Sequence, residues 1–211
     1  IKPEPAIFIP GKYTETGKWM DGWESRRKRT PGHDWCILKM AFPGVIEGVD
    51  IDTAHFLGNH PPEASLEARS GEGEWVCILD KVSLEPGSNN FFETKTDCPE
   101  AGWTHLRLNI FPDGGVARLR AYGRVKKDLS DCKEVIDLAA MENGGLVTSC
   151  SDDFFGKRNN LIQPGDSINM GDGWESRRRR GPGHDWLVIE LAAKGIVEKF
   201  DVATTYFKGN Y

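Results

Sequence analysis

The run Asp21-Gly22-Trp23-Glu24-Ser25-Arg26-Arg27-Lys28-Arg29-Thr30-Pro31-Gly32-His33-Asp34-Trp35 holds the densest chemistry in the chain. Consecutive cations stand between two indoles, with carboxylates and an imidazole beside them. A guanidinium fork matches a carboxylate bidentately, so Arg26 and Arg27 are candidates for gripping an anionic ligand. A solvated basic loop is the plainer reading, and the flanking tryptophans weigh against it. Glu24 and His33 are candidates for moving protons. For Glu24 the alternatives are a hydrogen-bond acceptor or an ion pair with a neighbouring arginine. Neighbouring residues of a strand point to opposite faces, so His33 and Asp34 are not expected to form one dyad.

The chain repeats this run as Asp172-Gly173-Trp174-Glu175-Ser176-Arg177-Arg178-Arg179-Arg180-Gly181-Pro182-Gly183-His184-Asp185-Trp186. The spacing of about 150 residues far exceeds the period of a solenoid, so it implies two domains of one fold. Glu175, Arg177, Arg178, His184 and Asp185 are the second copy's candidates. Asp152, which with Asp153 precedes two phenylalanines, is either a pocket acid or part of a turn. The mixture is too polar for a core and too rich in Trp, Gly and Pro for an ordinary loop, which suits a pocket wall.

Composition narrows the class. The chain has 211 residues and a formal net charge of −5, so the basic clusters are local features of an acidic protein. A general nucleic-acid binder would carry a basic face instead, and nucleic acid is not an expected partner. No apolar run approaches the roughly 20 residues that cross a bilayer, so no membrane partner is expected. Phosphate-cradling glycine loops and a Gly-x-Ser-x-Gly elbow are missing, which removes nucleotide and serine-hydrolase readings. Glu24, His33 and Asp34 are metal-ligand types without zinc-site spacing, so neither a metal nor a cofactor is expected. Cys36, Cys77, Cys98, Cys132 and Cys150 are an odd, unpatterned set, which suits reduced thiols.

The elements that must position the motif read as short strands between Gly/Pro turns: 36–42, 45–57, 65–69, 75–84, 89–94, 103–111 and 116–125. In 103–111, Leu106, Leu108 and Ile110 share one face, and His105, Arg107 and Asn109 the other. Pro112-Asp113-Gly114-Gly115 reads as a hairpin turn. Residues 126–133 read as a linker, 134–141 as a brief helical turn and 144–149 as a strand. The class is all-β, with two jelly-roll β-sandwich repeats. The first repeat, 1–131, carries an insertion near 6–16. The second occupies 132–211. Each repeat lacks strands that the other has, so both are expected to be incomplete and the chain a fragment of a longer protein. Such a fragment is expected to aggregate or to swap 134–161 between repeats.

The runs 21–35, 49–59, 104–123, 151–155 and 172–186 resemble the allantoicases along essentially the whole chain. That resemblance implies jelly rolls of the galactose-binding-like type, longer chains at both ends, and hydrolysis of allantoate to ureidoglycolate and urea in purine breakdown. Residue chemistry then suggests the roles. Arg26 and Arg27 clamp the carboxylate, Glu24 and His33 form an acid–base pair, and Glu175, His184, Arg177 and Arg178 are their equivalents. Asp34, Asp185 and Asp152 suit the urea N–H donors. The rival readings are a carbohydrate-binding jelly roll with Trp19, Trp23 and Trp35 as stacking platform, and an allantoicase-like protein without activity. The cytoplasm is the expected compartment. A peroxisomal address and a homo-oligomer stay open.

Overall fold

The computed structural model describes residues 4–95, 97–126 and 135–211. Two units emerge, Lys2–Lys127 and Asp128–Tyr211. The linker expected over 126–133 and the boundary between 131 and 132 lie, apart from Lys126, outside the described residues, as does Cys132.

In the first unit the strands are β1 (Tyr13–Thr14), β2 (Gly17–Lys18), β3 (Trp23–Glu24), β4 (Asp34–Asp52), β5 (Glu63–Arg69), β6 (Val76–Ser83), β7 (Phe91–Glu93), β8 (Trp103–Phe111), β9 (Gly115–Val116) and β10 (Arg118–Val125). The alternation in β8 makes it the centre of the main sheet, whose order is β10-β4-β8-β5-β6, with β7 also paired to β4. Leu106, Leu108 and Ile110 are buried together with Val49, Ile51, Ala64, Leu66, Ala68 and Ile78. The other face of β8 is left for polar side chains. Period-two patterning thus separates core from site within one strand.

Residues 36–42 and 45–57, expected as two strands, form the single strand β4. Pro43 cannot donate to a ladder, and the sheet answers by changing partners. β4 pairs with β8 up to Gly44, across a register shift, and with β10 from Gly44 to Asp52. The strand ends five residues short of the expected Leu57. Thr53 Oγ1 donates to the carbonyls of Glu85 and Ser88, and the Phe56 amide closes a turn onto the Thr53 carbonyl. The insertion expected near 6–16 overlaps the small hairpin of β1 and β2.

Pro112–Gly115 corrects the sequence reading. β8 and β10 are not partners; they lie on either side of β4. Gly115 instead opens β9, which pairs with β3 in a second, small sheet. Trp23 and Val116 from that sheet pack against the main core, giving the two layers of a jelly-roll sandwich. The glycines serve close approach. A methyl on Gly115 would stand 1.9 Å from two ring carbons of the fully buried Phe56. Gly115→Ala therefore costs about 1–3 kcal/mol by overpacking, read from guanidinium unfolding. Gly58 has open space around it, so Gly58→Ala stays within about 0.5 kcal/mol of the parent. Equal midpoints for the two variants would refute this packing.

In the second unit, β11 (Leu146–Cys150) and β12 (Leu187–Glu190) form a two-stranded antiparallel sheet. Single 3-10 turns cover Met141–Asn143, Arg158–Ile162 and Met170–Asp172. The helical turn expected over 134–141 begins only at Met141. The unit keeps local details of the first. His55 and Tyr206, both 151 residues apart in the repeat, share a φ of 70°. The Phe207 amide closes onto the Thr204 carbonyl at 3.0 Å as Phe56 does onto Thr53. Val202, at the position equivalent to buried Ile51, is exposed, as are Ile196 and Phe200.

Candidate functional site

The motif loop of the first unit leaves the small sheet after Glu24 and enters β4 at Asp34. Its backbone rests on the Pro112–Gly114 turn. The amide of Ser25 donates to the Gly114 carbonyl at 3.0 Å, that of Lys28 to Asp113 Oδ2 at 2.6 Å, and that of Asp34 to the Pro112 carbonyl at 3.1 Å. Across the loop, Lys28 Nζ meets Asp34 Oδ1 at 2.7 Å. Hydrogen bonds from Lys28 and then Ser25 hold the Asp34 carboxyl below its ordinary range. With Lys28 turned inward, Arg26 and Arg27 stay exposed, and neither has an ion-pair partner among the described residues. Together with Trp23, Glu24, Asp34 and Trp35 they line an open groove of about 700 Å³.

Glu24 Oε1 accepts from Asn59 Nδ2 at 2.6 Å. His33 turns away from Asp34, its ring 4.6 Å from that of Phe111 and its Nε2 3.3 Å from Asn109 Oδ1. It faces a second cavity of about 350 Å³ that adjoins the groove at Trp35. Glu67, Arg107 and Asn109 form the polar wall of this cavity. Arg107 Nε and Nη2 hold the two oxygens of Glu67 at 2.6 and 2.7 Å. That pair, and the Asn109 amide, lower the Glu67 carboxyl from its ordinary value. Glu24 and His33 therefore sit in neighbouring concavities, with Trp35 between them.

The second copy repeats the anchoring. Glu175 Oε1 accepts from Asn210 Nδ2 at 2.7 Å, as Glu24 does from Asn59. Asp185 takes Arg179 Nη2 at 2.6 Å and Ser176 Oγ at 3.0 Å, matching Asp34 with Lys28 and Ser25. Hydrogen bonds from Arg179 first, then Ser151 and Ser176, depress the Asp185 pKa. Asp152 accepts the amide of Arg177 at 2.9 Å and its Nε at 3.0 Å, and Arg177 lies over the Phe154 ring. The backbone N–H groups of Arg177 and Phe154 are the main causes of its lowered pKa. Arg178 and His184 are exposed. Asp34 and Asp185 thus bind within their own loops, and Asp152 binds Arg177 of the second loop.

Several residues of this arrangement escape a reading centred on the motif. Asn59 had a trace, since it ends the run 49–59 and recurs 151 residues on as Asn210. Arg107 and Asn109 lay on the non-core face of β8, and Glu67 stands opposite Arg107 in the register of β5 and β8. Only the paired strands bring those three to His33. Among the described residues, no group of three or more His, Cys, Asp and Glu side chains is arranged to hold a metal ion.

A β-sandwich carries a basic, tryptophan-flanked loop beside a cavity in the first unit, and the loop, though not the cavity, recurs 151 residues on. The allantoicase-repeat model matches residues 1–126 and again 136–211, and the chain belongs to the allantoicase family. It is 52% identical to the allantoicase of Dictyostelium discoideum, over all of this chain and 60% of that protein. It is 50% identical to a probable allantoicase of Burkholderia mallei, over all of this chain and 64% of that protein. The crystal structure of allantoicase from Saccharomyces cerevisiae superposes with a TM-score of 0.57 at 38% identity, covering 90% of this chain and 59% of that one. The chain therefore spans about 60–65% of the length of the curated relatives it matches.

Proposed function

We propose that the protein hydrolyses allantoate to ureidoglycolate and urea, with the motif copies, Glu24–Trp35 and Glu175–Trp186, as its substrate-contacting walls. Membership of the allantoicase family carries this reading. Allantoate has one carboxylate and two urea arms on a single carbon. Arg26 and Arg27, and Arg177 and Arg178 in the second copy, offer forks for the carboxylate. Arg177 does so with the N–H groups that Asp152 leaves over. Water oxygen bonds to the central carbon as the carbon–nitrogen bond breaks. One proton goes to the departing urea nitrogen and one leaves the water. Glu24 and His33, or Glu175 and His184, take those two tasks, each contributing about 10²–10⁴-fold. Asp34, Asp185 and Asp152 serve the substrate indirectly, by shaping the basic loops.

A sugar platform is less favoured. Trp23 packs against the core, and Lys12 Nζ covers the Trp19 ring at 3.9 Å from its centroid. The two units serve in this reading as the first repeat and the start of the second. Free thiols at Cys36, Cys77, Cys98 and Cys150 suit a reducing compartment, here the cytoplasm. No helix among the described residues is long and apolar enough to cross a membrane.

The test is urea release from allantoate by the full-length protein, with and without chelator, beside a sugar titration. Glu24→Gln keeps an acceptor for Asn59 but can neither give nor take a proton. It should lower turnover by about 10²-fold or more while the melting curve stays parental. A parent that releases no urea in either condition, or binds sugar instead, refutes the proposal.

A further inference from the structure

The cavity beside His33 contains a hydrogen-bond chain whose direction can be worked out atom by atom. Glu67 is ionised and can only accept. Its Oε2 takes Asn109 Nδ2 at 2.8 Å, and Ser65 Oγ lies 3.2 Å from the same nitrogen. The amide nitrogen of Asn109 is thereby committed to β5. Its oxygen must face the other way, where His33 Nε2 stands at 3.3 Å. An amide oxygen donates nothing, so the proton of this contact belongs to His33 Nε2. In a neutral imidazole the lone pair then resides on Nδ1.

The chain is held rigid from its far end. Arg107 and Glu67 are direct partners in the register of β8 and β5, and their bidentate pairing fixes the carboxylate plane. Arg107 in turn lies over the Trp75 ring, 4.7 Å from its centroid. Asn109 itself is 4% exposed, so water does not compete freely for its amide. Phe111 lies tilted against the imidazole, with ring centroids 4.6 Å apart. His33 alone of the chain's members is exposed, which leaves its ring available to a ligand.

We propose that Asn109 is a positioning residue for the reaction, and that Glu67 and Arg107 hold it in place. It keeps His33 in the Nε2–H tautomer, so that Nδ1 is the atom that takes the proton of the attacking water. The water loses its proton to Nδ1 as its oxygen bonds to the substrate's central carbon. This inference rests on the acid–base role given to His33 above. The logic is that of any oriented base: a fixed acceptor on one nitrogen determines which nitrogen is basic.

The first measurement needs no variant. Ring ¹⁵N shifts of His33 in the full-length protein, at a pH where the ring is neutral, should show Nε2 protonated and Nδ1 bare. A predominant Nδ1–H tautomer overturns the proposal. The second measurement is urea release by Asn109→Ala and His33→Ala. Asn109→Ala should lose about ten- to a hundredfold in kcat with KM within about twofold, because orientation and not binding is removed. It should also mix the ring tautomers. If His33→Ala cripples turnover while Asn109→Ala matches the parent, the positioning role fails and the catalytic assignment survives. If His33→Ala itself keeps parental turnover, the acid–base reading of His33 fails first, and this proposal with it.

Discussion

Replacing Asp21 by Ala should cost about 3–5 kcal/mol of stability, because it leaves a buried cation without its counter-charge. The side chains of Asp21 and Arg118 are only 7% and 8% exposed. Arg118 Nη2 donates to Asp21 Oδ2 at 2.8 Å. Its other donors go to backbone carbonyls of Glu4, Asp21 and Ala117. Asp21 Oδ2 also accepts the Ile7 amide at 3.1 Å. The acid that opens the motif is thus the tie between the chain's first segment and β10. Carbonyl dipoles alone do not replace a carboxylate beside a dehydrated guanidinium. Removing both charges is gentler than removing one, so Asp21→Ala with Arg118→Met should cost clearly less than the two single losses added. Guanidinium unfolding of the parent, both singles and the double tests this. A single loss below about 1 kcal/mol, the value of a surface pair, would refute it.

What the sequence showed and what it hid follow from range. β8 was legible to the residue at both ends, since its alternation is complete and Leu106, Leu108 and Ile110 needed no knowledge of neighbours. β4 was divided at Pro43-Gly44, where a local rule says a ladder must stop. The ladder does stop, but the chain runs on to a different partner. Asp113-Gly114-Gly115 has the composition of a tight hairpin. Whether two flanking strands pair is a property of the whole sheet, and here β4 stands between them. The same turn instead supports the motif loop through Asp113 and Gly114.

The site divides along the same line. The motif and its second copy are written in the sequence, whereas the contacts inside each loop, Asp34 with Lys28 and Asp185 with Arg179, appear only in the fold. In the fold those two carboxylates are engaged by the cation six residues before each of them. Closing so short a loop costs less chain entropy than a contact between distant strands. The wall facing His33 is assembled from residues 40 and more positions apart on β5 and β8. No spacing rule joins Glu67 to Arg107; a register does.

That cross-strand pair carries the second large effect, and its sign follows from the Glu67 carboxyl. Hydrogen bonds from Arg107, then Asn109, lower its pKa in the folded protein. A group depressed on folding contributes stability above its unfolded pKa, and that stability is lost as pH falls through the folded value. Glu67→Gln should therefore cost about 1.5–3 kcal/mol near neutral pH, the range for hydrogen bonds to charged groups. Both partners are less than a third exposed, so solvent screens the pair only in part. The gap between parent and variant should stay constant down to the ordinary glutamate range near 4.5. Below that it should narrow, and it should close once the pH passes under the depressed folded value. Asp34, Asp152 and Asp185 titrate low as well, but they are common to both proteins and cancel in the difference. Unfolding free energies of the two proteins from neutral pH down to about pH 3 decide the matter. A gap that is flat through the acid range, or that widens there, would mean that Glu67 is not held as an anion by Arg107. It would also remove the fixed acceptor on which the orientation of Asn109 depends.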